Sequence, residues 1–555
     1  MSEFDYIIVG AGSAGCVLAS RLSESAATVL LIEAGGSESG HRRMRMPLAW
    51  RDTFMDPHLG WGYQSEPEPC AAGRRIPVPR GRVLGGSSSV NGMMYSRGHP
   101  ADYDHWRALG LAGWGYAEVL PYFCRSESNW RGESLYHGAS GPLTVAPHRT
   151  DRELYRQLIA TAEKLGYRHL DDFHGAEAEG FSAPDFTVHR GERASTASRY
   201  LRPAMHRPNL RVETDALVGR VQIEGGRARG VQYQRDGRSI EVRARREVIL
   251  AAGTFNSPQL LMLSGVGPAA ALRAHGIVPL LDLPGVGRNL QDHQSVGVVF
   301  AARGAVTFES ALRADRLALS LLRWRLFGSG PVGDLPVGAQ GFLRTRPDLD
   351  APDVQFLVSP VSMAARPWFP GWRKGAGHVF SIANVVLHPV SRGEVRLRSS
   401  DPRSAPAIQF NLLQAPEDVA TLRFMVRFCR RFFATAPASR LVAGELLPGA
   451  AVQSDDEIDA HLRGSVATAM HPTGSCAMGT GPDAVLDASL RVRGIDALRV
   501  VDASVMPTIV GGNTNAPVIM IAEKASDLIL GRPPLAAARL PVSPSAPSCS
   551  GAAFP

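Results

Sequence analysis

The sequence lacks the patterns that mark several classes of protein. It contains no run of about 18 apolar residues, so we expect no transmembrane helix. Its N-terminus shows no basic segment followed by an apolar one, so we expect no signal peptide. HExxH, GxSxG and Walker motifs are also missing, which leaves hydrolase and phosphotransferase chemistry without support.

Cysteine is scarce, and its spacing carries no signal. The six cysteines include no CxxC pair, so neither a zinc site nor a thioredoxin-like motif is indicated, and we expect no metal. Reduced thiols in a cytoplasmic protein are the simplest interpretation. Peripheral attachment at the inner face of a membrane is the alternative that we keep open.

Dense basic runs are missing as well, although the formal net charge is +8. The nearest thing to a basic patch is the short segment at residues 41–45. We therefore expect no nucleic-acid partner and interpret the excess of arginine as solvated surface. Attraction to an anionic membrane or to an anionic electron carrier is the alternative interpretation.

The length and composition that are present indicate a large soluble protein. A chain of 555 residues, 44% hydrophobic and 20% charged, is too long for one compact core and suggests two closely joined domains. Residues 532–555 are rich in proline, alanine and serine, so we predict a disordered tail there.

The first forty residues carry a nucleotide-binding pattern. Residues 4–9 form an apolar run that is typical of a buried parallel strand. The GxGxxG motif of Gly10, Gly12 and Gly15 follows, and the next predicted helix offers free N–H groups to a pyrophosphate. Glu33 ends a second predicted strand, 23 residues after Gly10, where a carboxylate binds ribose hydroxyls. This unit does not distinguish FAD from NAD, but Glu33 disfavours NADP.

Two further motifs carry a family resemblance. Residues 81–91, GRVLGGSSSVN, are similar to the first signature of the glucose–methanol–choline oxidoreductase family. Residues 253–267 resemble its second signature, and we predict a buried strand at 247–251 and a helix that starts at Ser257 with Pro258 as its first residue. The resemblance extends from about residue 4 to residue 531 and is greatest to the choline and aliphatic-alcohol dehydrogenase branch.

The resemblance implies a fold. It is an α/β, Rossmann-like FAD-binding domain combined with an α+β substrate domain built on an antiparallel sheet. We expect the FAD-binding domain at residues 1–145, 193–292 and 464–531, and the substrate domain at residues 146–192 and 293–463. Strands of the antiparallel sheet are predicted at residues 354–357, 379–386 and 394–397.

The resemblance also implies FAD as the cofactor. The residues expected to contact it are Gly10, Gly12, Ser13, Ala14, Gly15, Glu33, Ala34, Arg82, Gly86, Ser88, Asn91, Gly92, Met93, Val218, Ala252, Asp502 and Ala503. Family members that tether the flavin covalently carry histidine at the position of Val90. Because valine cannot form that bond, we predict a non-covalent, dissociable FAD.

A catalytic pair follows from the same resemblance. His471 lies in a loop at residues 470–479 that is similar to the family's active-site loop, and Asn515 lies 44 residues further on. Histidine suits a general base that takes the hydroxyl proton of an alcohol, because its ordinary pKa lies close to working pH. An asparagine amide can donate a hydrogen bond to the developing alkoxide while the hydride goes to the flavin.

Asn515 also has a purely structural interpretation. Pro517 is well placed as the first residue of a helix that ends near Gly531, so Asn515 lies at or just before the helix N-cap. Both roles can coexist. Asp292 and His293 lie in a loop that we interpret mainly as structural, at the domain junction.

The predicted function is therefore FAD-dependent oxidation of an alcohol to an aldehyde or ketone. The electron acceptor is a quinone-like carrier or O2, and we favour a dehydrogenase over an oxidase. Apolar residues near 356–357 and 385–386 hint at an aliphatic or aromatic alcohol, although they suit a core equally well. A lyase that keeps FAD, of the hydroxynitrile lyase or fatty-acid decarboxylase type, and a non-catalytic flavoprotein are the alternatives. The oligomeric state is not predicted.

Overall fold

The computed structural model describes residues 2–148 and 152–541. Two large β-sheets form the centre of the fold. The α-helices are α1 (Ser13–Leu22), α2 (Arg42–Arg45), α3 (Trp50–Phe54), α4 (Pro100–Ala108), α5 (Tyr116–Ser126), α6 (Arg152–Lys164), α7 (Arg202–Ala204), α8 (Gly253–Leu263), α9 (Ala269–Ala274), α10 (Ala314–Phe327), α11 (Pro416–Ala434), α12 (Asp455–Ser465) and α13 (Asn515–Leu530). The strands are β1 (Ser2–Val9), β2 (Val29–Ile32), β3 (Met94–Tyr95), β4 (Glu127–Asn129), β5 (Leu143–Pro147), β6 (Gly180–Ser182), β7 (Asp185–Phe186), β8 (Val188–His189), β9 (Glu192–Arg193), β10 (Leu210–Glu213), β11 (Leu217–Glu224), β12 (Arg227–Arg235), β13 (Arg238–Leu250), β14 (Val266–Gly267), β15 (Leu281–Asp282), β16 (Gln294–Ala302), β17 (Ala339–Leu343), β18 (Val354–Ser359), β19 (Val379–Val386), β20 (Glu394–Arg396), β21 (Ala407–Gln409), β22 (Val442–Leu447), β23 (Ala467–Thr468) and β24 (Leu498–Val500).

The first large sheet has the strand order β10-β2-β1-β13-β12-β11, and β24 also pairs with β13. Strand β1 pairs in parallel with β2 and with β13, and β10 and β24 extend the parallel part. Residues 6–9 of β1 are all buried, as expected for a parallel strand covered on both faces. Because parallel strands end at one edge, the segments that follow β1, β2, β13 and β24 meet there.

The second large sheet is antiparallel, with the order β22-β16-β19-β18-β17-β6 and with β23 paired to β16. Helix α11 covers one of its faces. The ring centroid of Phe356 in β18 lies 5.2 Å from that of Phe428 and 5.1 Å from that of Phe432. Since side chains alternate along a strand, Gln355 and Leu357 point to the opposite face.

This architecture confirms the predicted fold class. The strands of the first sheet lie within the segments assigned to FAD binding, and those of the second lie within the substrate segments, except for β23. The residue-level boundaries of the two domains stay a prediction. No helix in the described part of the chain is long and apolar enough to cross a bilayer.

Helix α8 corrects one predicted boundary. The helix begins at Gly253, not at Ser257, and Pro258 lies inside it. Proline has no N–H to donate to the carbonyl four residues earlier. That carbonyl, of Thr254, accepts a hydrogen bond from Ser475 Oγ at 2.5 Å instead, which allows the proline within the helix.

Strand β20 corrects a second prediction. It was expected in the large antiparallel sheet, but it pairs only with β21 in a separate two-stranded sheet. Main-chain bonds between Gly393 and Leu290 anchor this ribbon beside the start of β16. An alternating apolar pattern predicts a strand, but it does not identify the strand's partner.

The C-terminal segment corrects a third prediction in part. Residues 532–541, expected to be disordered, carry no helix or strand but lie against the first half of the molecule. The backbone N–H of Leu535 donates to Tyr122 Oη at 3.1 Å, and that of Ala538 donates to the Ala117 carbonyl at 2.7 Å. The rest of the predicted tail lies outside the described residues.

Candidate active site

A cavity of about 540 Å³ lies between the two sheets. At one end it is lined by the turn after β1, at Gly10 and Gly12, and by Glu33 at the end of β2. At the other end it is lined by His471 and by β18 and β19 of the antiparallel sheet. The cavity therefore joins the predicted nucleotide site to the predicted catalytic site.

The glycine turn brings backbone to the cavity wall. Gly10 has φ +99°, and a Cβ there would lie 2.5 Å from the Ala251 carbonyl oxygen, so only glycine fits. A Cβ on Gly15 would overlap the Gly10 carbonyl, so Gly15 allows α1 to pack on β1. No side chain caps α1 at Gly12, and the positive helix end is available to a phosphate.

Glu33 is buried beside this turn. Its carboxylate accepts hydrogen bonds from the backbone N–H of Ala11 at 2.8 Å and from that of Gly35 at 2.9 Å. Burial raises the pKa of Glu33 to about 7 despite these bonds. Each carboxylate oxygen accepts one of these bonds and keeps acceptor capacity for a ribose hydroxyl.

The loop formed by the first signature, residues 81–91, is fixed against the turn. A Cβ on Gly86 would lie 2.8 Å from Gly12 Cα, so these two backbones are in contact. Arg193 Nη1 donates to both the carbonyl and the side-chain oxygen of Asn91, at 2.6 and 2.8 Å. Burial lowers the pKa of Arg193 to about 9. The guanidinium therefore holds Asn91 in place from behind the cavity wall.

Most of the predicted cofactor contacts line the cavity, and three do not. Those that line it are Gly10, Gly12, Ser13, Ala14, Glu33, Ala34, Gly86, Asn91, Gly92, Met93, Val218, Ala252, Asp502 and Ala503. Gly15 acts in helix packing, and Ser88 bonds to the Gly85 carbonyl and to Thr196. Arg82 donates to the Ala34 carbonyl at 3.2 Å and lies over the ring of Trp61.

Val90 faces away from the cavity. It is 2% exposed and belongs to a small apolar cluster with Met44, Leu59 and Val83. Its side chain supplies packing to the signature loop and no reactive atom.

His471 lies at the far end of the cavity, in a loop tied to β16. Its backbone N–H donates to Asp292 Oδ1 at 2.8 Å, and the preceding residue, Met470, has φ +67°. Strained backbone of this kind is often found at functional sites. Burial, followed by the charge of Arg80, lowers the pKa of His471 to about 3, so the imidazole is neutral at ordinary pH.

Neighbouring groups determine the tautomer of His471. His293 Nε2 lies 3.0 Å from the Val510 carbonyl oxygen, which only accepts, so the proton of His293 is on Nε2. Its Nδ1 is then an acceptor, and His471 Nδ1, 3.0 Å away, must be the donor. The lone pair of His471 therefore lies on Nε2. The loop of Asp292 and His293, interpreted from sequence as structural, directly orients the predicted base.

The structure brings Asn513, rather than Asn515, to His471. Asn513 Nδ2 donates to His471 Nε2 at 3.0 Å. Asn515 is the first residue of α13, and its Oδ1 accepts from Ser13 Oγ at 2.7 Å, which joins the N-termini of α13 and α1. Both asparagines line the cavity. The sequence analysis missed Asn513 because it placed the second catalytic residue by the spacing that the family resemblance implied.

A buried cation lies beside this end of the cavity. Arg80 lines the cavity and donates to the Met470 carbonyl at 2.8 Å. Burial lowers the pKa of Arg80 to about 10, which leaves it charged at neutral pH. Burial also raises the pKa of its nearest carboxylate, Asp292, to about 7, since Arg80 only partly offsets the lost solvation.

Another part of the cavity wall is largely apolar. The residues that form it are Trp50, Phe54, Trp61, Ser295, Gln355, Leu357, Met363, Ala383 and Val385. Among the cavity-lining residues that the structure describes, only Glu33 and Asp502 are acidic. Asp502 accepts bonds from Gly253, Ser257 and Ser504, so its carboxylate belongs to the frame of the cavity.

Two family models match the chain. Residues 4–295 match the N-terminal model and residues 389–522 the C-terminal model of GMC oxidoreductase. Among similar curated proteins, the Mus musculus "Choline dehydrogenase, mitochondrial" is 44% identical over 552 residues, covering 97% of this chain and 91% of that protein. "Oxygen-dependent choline dehydrogenase" of Brucella anthropi is 42% identical over 538 residues, covering 96% and 97%.

Solved structures agree with these relatives. The crystal structure of pyridoxine 4-oxidase from "Mesorbium loti" has a TM-score of 0.85 at 32% identity and covers 96% of this chain and 100% of that one. All of these names describe oxidation enzymes, and none of them supports the lyase alternative.

Proposed function

The chain belongs to the GMC oxidoreductase family and oxidises an alcohol with FAD, and from that premise we propose that its substrate is a neutral alcohol with an apolar tail. The observation that supports this proposal is the composition of the cavity wall. It is largely apolar, and the cation of Arg80 lies at its His471 end, beside the carboxyl group of Asp292.

The residues of this chain fit the cofactor. The cavity extends from the turn at Gly10 to His471, and the uncapped N-terminus of α1 and the buried carboxylate of Glu33 lie along it. We propose that these groups hold the pyrophosphate and the ribose. When bound, FAD supplies the acceptor for the hydride. Since Val90 offers no bond, we propose that FAD is held without a covalent link.

We propose His471 as the general base. His471 lines the cavity, and His293 holds the tautomer that places its lone pair on Nε2. In the substrate complex, the alcohol O–H would donate to Nε2 in place of Asn513 Nδ2. That amide N–H would then donate to the alcohol oxygen and stabilise the negative charge that develops as the proton leaves.

A cationic alcohol such as choline fits this site less well than a neutral one. A quaternary ammonium group is bound by aromatic faces and by opposing carboxylates. The cavity offers the rings of Trp50, Phe54 and Trp61, but it offers no free carboxylate on that side. The charge of Arg80 opposes a second cation and favours a developing alkoxide. The similar choline dehydrogenases therefore indicate the reaction better than the substrate.

We also propose a quinone-like carrier, rather than O2, as the electron acceptor. The names of the similar proteins support a dehydrogenase, although one of them is called oxygen-dependent. Steady-state turnover with a water-soluble quinone should exceed turnover in air-saturated buffer. Faster turnover with O2 alone would assign the chain as an oxidase.

Anaerobic reduction of the bound flavin tests the substrate proposal. Decanol, benzyl alcohol and choline are each mixed with the enzyme, and the loss of flavin colour is followed. The neutral alcohols should reach half-saturation at a concentration about tenfold or more below that of choline. Saturation by choline at the lowest concentration would contradict the proposal. Release of a carbonyl product without loss of colour would contradict oxidation itself.

Gln355→Glu is a matched test of the charge argument. Gln355 lines the cavity and its Nε2 has no hydrogen-bond partner, so the substitution adds a carboxylate with little change of shape. It should shift the preference toward choline. Leu357→Gln, two residues along the same strand, changes polarity without charge and should not.

A further inference from the structure

Helix α10 carries large apolar side chains that are exposed to solvent. Of its side chains only Ser320 is buried. Leu319 is 69% exposed, Leu326 63% and Phe327 75%. A soluble monomer rarely leaves contiguous large apolar side chains in water, so such a face indicates an interaction surface.

The loop at residues 363–374 extends this surface. Met363, Phe369 and Trp372 are exposed in it. The loop is tied to the start of α10, because the N–H of Ala314 donates to the Trp368 carbonyl at 2.8 Å. Nine of the nineteen exposed large apolar residues in the described part of the chain lie between residues 306 and 372. We call residues 313–327 and 363–374 the apolar–basic face.

The charged side chains of the apolar–basic face are predominantly basic. Its basic side chains are Arg313, Arg316, Arg323, Arg325, Arg366, Arg373 and Lys374. Its one acidic side chain, Asp315, is paired with Arg313, whose Nε donates to it at 2.7 Å. An excess of positive charge around exposed leucine, phenylalanine and tryptophan is typical of helices that lie in the headgroup region of a membrane.

We propose that the apolar–basic face binds the surface of an anionic lipid bilayer. A symmetric contact between two copies of this chain would place these arginines opposite each other, and the repulsion would oppose it. An anionic leaflet instead complements the charge, while the apolar side chains enter the acyl boundary. With 14 residues, α10 is too short to span a bilayer and would lie in its plane.

The position of Met363 links this face to the active site. Met363 is 53% exposed on the face and also lines the cavity that contains His471. The cavity mouth therefore opens beside the surface that would rest on lipid. An apolar alcohol or quinone dissolved in the bilayer would reach the site without crossing water, a consequence that rests on the proposed function. The membrane contact itself does not.

Vesicle co-sedimentation of the holoenzyme tests the proposal. The protein should sediment with vesicles of phosphatidylglycerol and phosphatidylcholine, and much less with phosphatidylcholine alone. Raising the salt from about 0.05 M to about 0.5 M should weaken binding, because screening acts on the arginine contribution. Failure to sediment with anionic vesicles at the lower salt would overturn the proposal.

Matched variants locate the contact. Leu326→Glu combined with Phe327→Glu should weaken vesicle binding about tenfold or more, because it replaces apolar anchors with anions on the same face. Met205→Glu combined with Val278→Glu alters two exposed residues elsewhere and should bind like the wild type. Flavin reduction by a water-soluble alcohol should be the same in all three proteins, which separates this outcome from a failure of the proposed function.

Two outcomes would contradict this assignment. Equal vesicle binding by the wild type and by the Leu326→Glu, Phe327→Glu variant would place the lipid contact elsewhere. A concentration-dependent dimer of the wild type that this variant abolishes, measured by light scattering, would instead assign the face to a second copy of the chain.

Discussion

At the scale of single residues, the proposed chemistry depends on the groups around His471. A pKa near 3 keeps the imidazole neutral over the whole working range, and the contact with His293 places its lone pair on Nε2, where it accepts from Asn513. A base with so low a pKa takes a proton only if the product is stabilised as it forms. Arg80 and Asn513 are placed to stabilise the negative charge that the departing proton leaves on the substrate.

Asn513 and Asn515 should behave differently when each is changed to alanine. Asn513→Ala removes the amide next to His471, and we expect the limiting rate of flavin reduction to fall by about 10²–10³-fold. Asn515→Ala breaks the bond to Ser13 and should mainly weaken retention of FAD. Stopped-flow reduction and an FAD titration measure the two effects. If Asn515→Ala slowed flavin reduction more than Asn513→Ala, Asn515 would be the catalytic amide.

The sequence identified His471 but not its partner, for a physical reason. The histidine stands in a distinctive loop, whereas the two asparagines lie two residues apart just before a helix. Which of them faces the base depends on the residue at which α13 begins. The helix begins at Asn515 itself, which turns that side chain toward Ser13. Spacing along the chain carries no information on that boundary.

At the scale of elements, Ser475 joins the His471 loop to α8. Ser475→Ala leaves the buried Thr254 carbonyl without its hydrogen bond, because Pro258 cannot supply one. We expect the free energy of unfolding to fall by about 1–3 kcal/mol. Denaturant unfolding measures it.

A double variant provides the control for this prediction. Pro258→Ala restores an N–H that can bond the Thr254 carbonyl, so it should recover part of the loss in the Ser475→Ala background. Strictly additive effects of the two substitutions would show that the carbonyl is not their shared partner.

The loop that carries Asn513 is anchored to α4 by a pH-sensitive contact. Asp102 Oδ2 accepts from the Gly511 N–H at 2.7 Å, and Asp102 Oδ1 lies 2.8 Å from His388 Nε2. Burial alone would lower the pKa of His388, but the charge of Asp102 and their hydrogen bond outweigh it and raise the pKa above its usual value. The protonated form is therefore favoured by folding.

His388→Gln should lower stability mainly in acid. The contribution of a raised histidine pKa is fully present below about pH 6.5 and is lost as the pH rises through the folded value. Thermal unfolding of the two proteins should differ most near pH 6 and should converge toward pH 9. Because His388 is partly exposed, we expect no more than about 1 kcal/mol. A difference that grows with pH would contradict the pairing.

Elements with a strong local signal were predicted well, and those set by tertiary contacts were not. Strand β19 matches its predicted bounds, residues 379–386, because this stretch is rich in β-branched and aromatic residues. The start of α8 was wrong because proline usually marks a first turn, and only the distant Ser475 allows it inside. The pairing of β20 was wrong because alternation does not encode a partner.

At the scale of the whole molecule, the two sheets meet at the cavity that would hold FAD. The residues that would hold the cofactor lie at the edge of the first sheet, and residues of the antiparallel sheet line the other end of the cavity. Because FAD would bind the folded chain and not the unfolded one, it would stabilise the folded state by mass action. The apolar–basic face escaped the sequence analysis because its seven basic residues are divided between two segments, neither of them a dense run.

Dissociable FAD has a measurable consequence for the folded protein. Denaturation should release free FAD into the supernatant and leave a colourless pellet, because Val90 forms no bond to the flavin. Adding FAD to the stripped protein should raise the Tm progressively with FAD concentration. At an FAD concentration one hundred times the Kd, the free energy of unfolding should increase by about 2.7 kcal/mol. A yellow, acid-insoluble pellet would reveal a covalent link.

The rate of anaerobic flavin reduction in His471→Ala tests the central claim most directly, with His378→Ala, a histidine bonded to Thr307 away from the cavity, as the control. Both variants should purify yellow. With a saturating neutral alcohol, His471→Ala should reduce its flavin about 10²–10⁴-fold more slowly than the wild type, while His378→Ala keeps the wild-type rate. Reduction of the His471→Ala flavin at the wild-type rate would contradict the account.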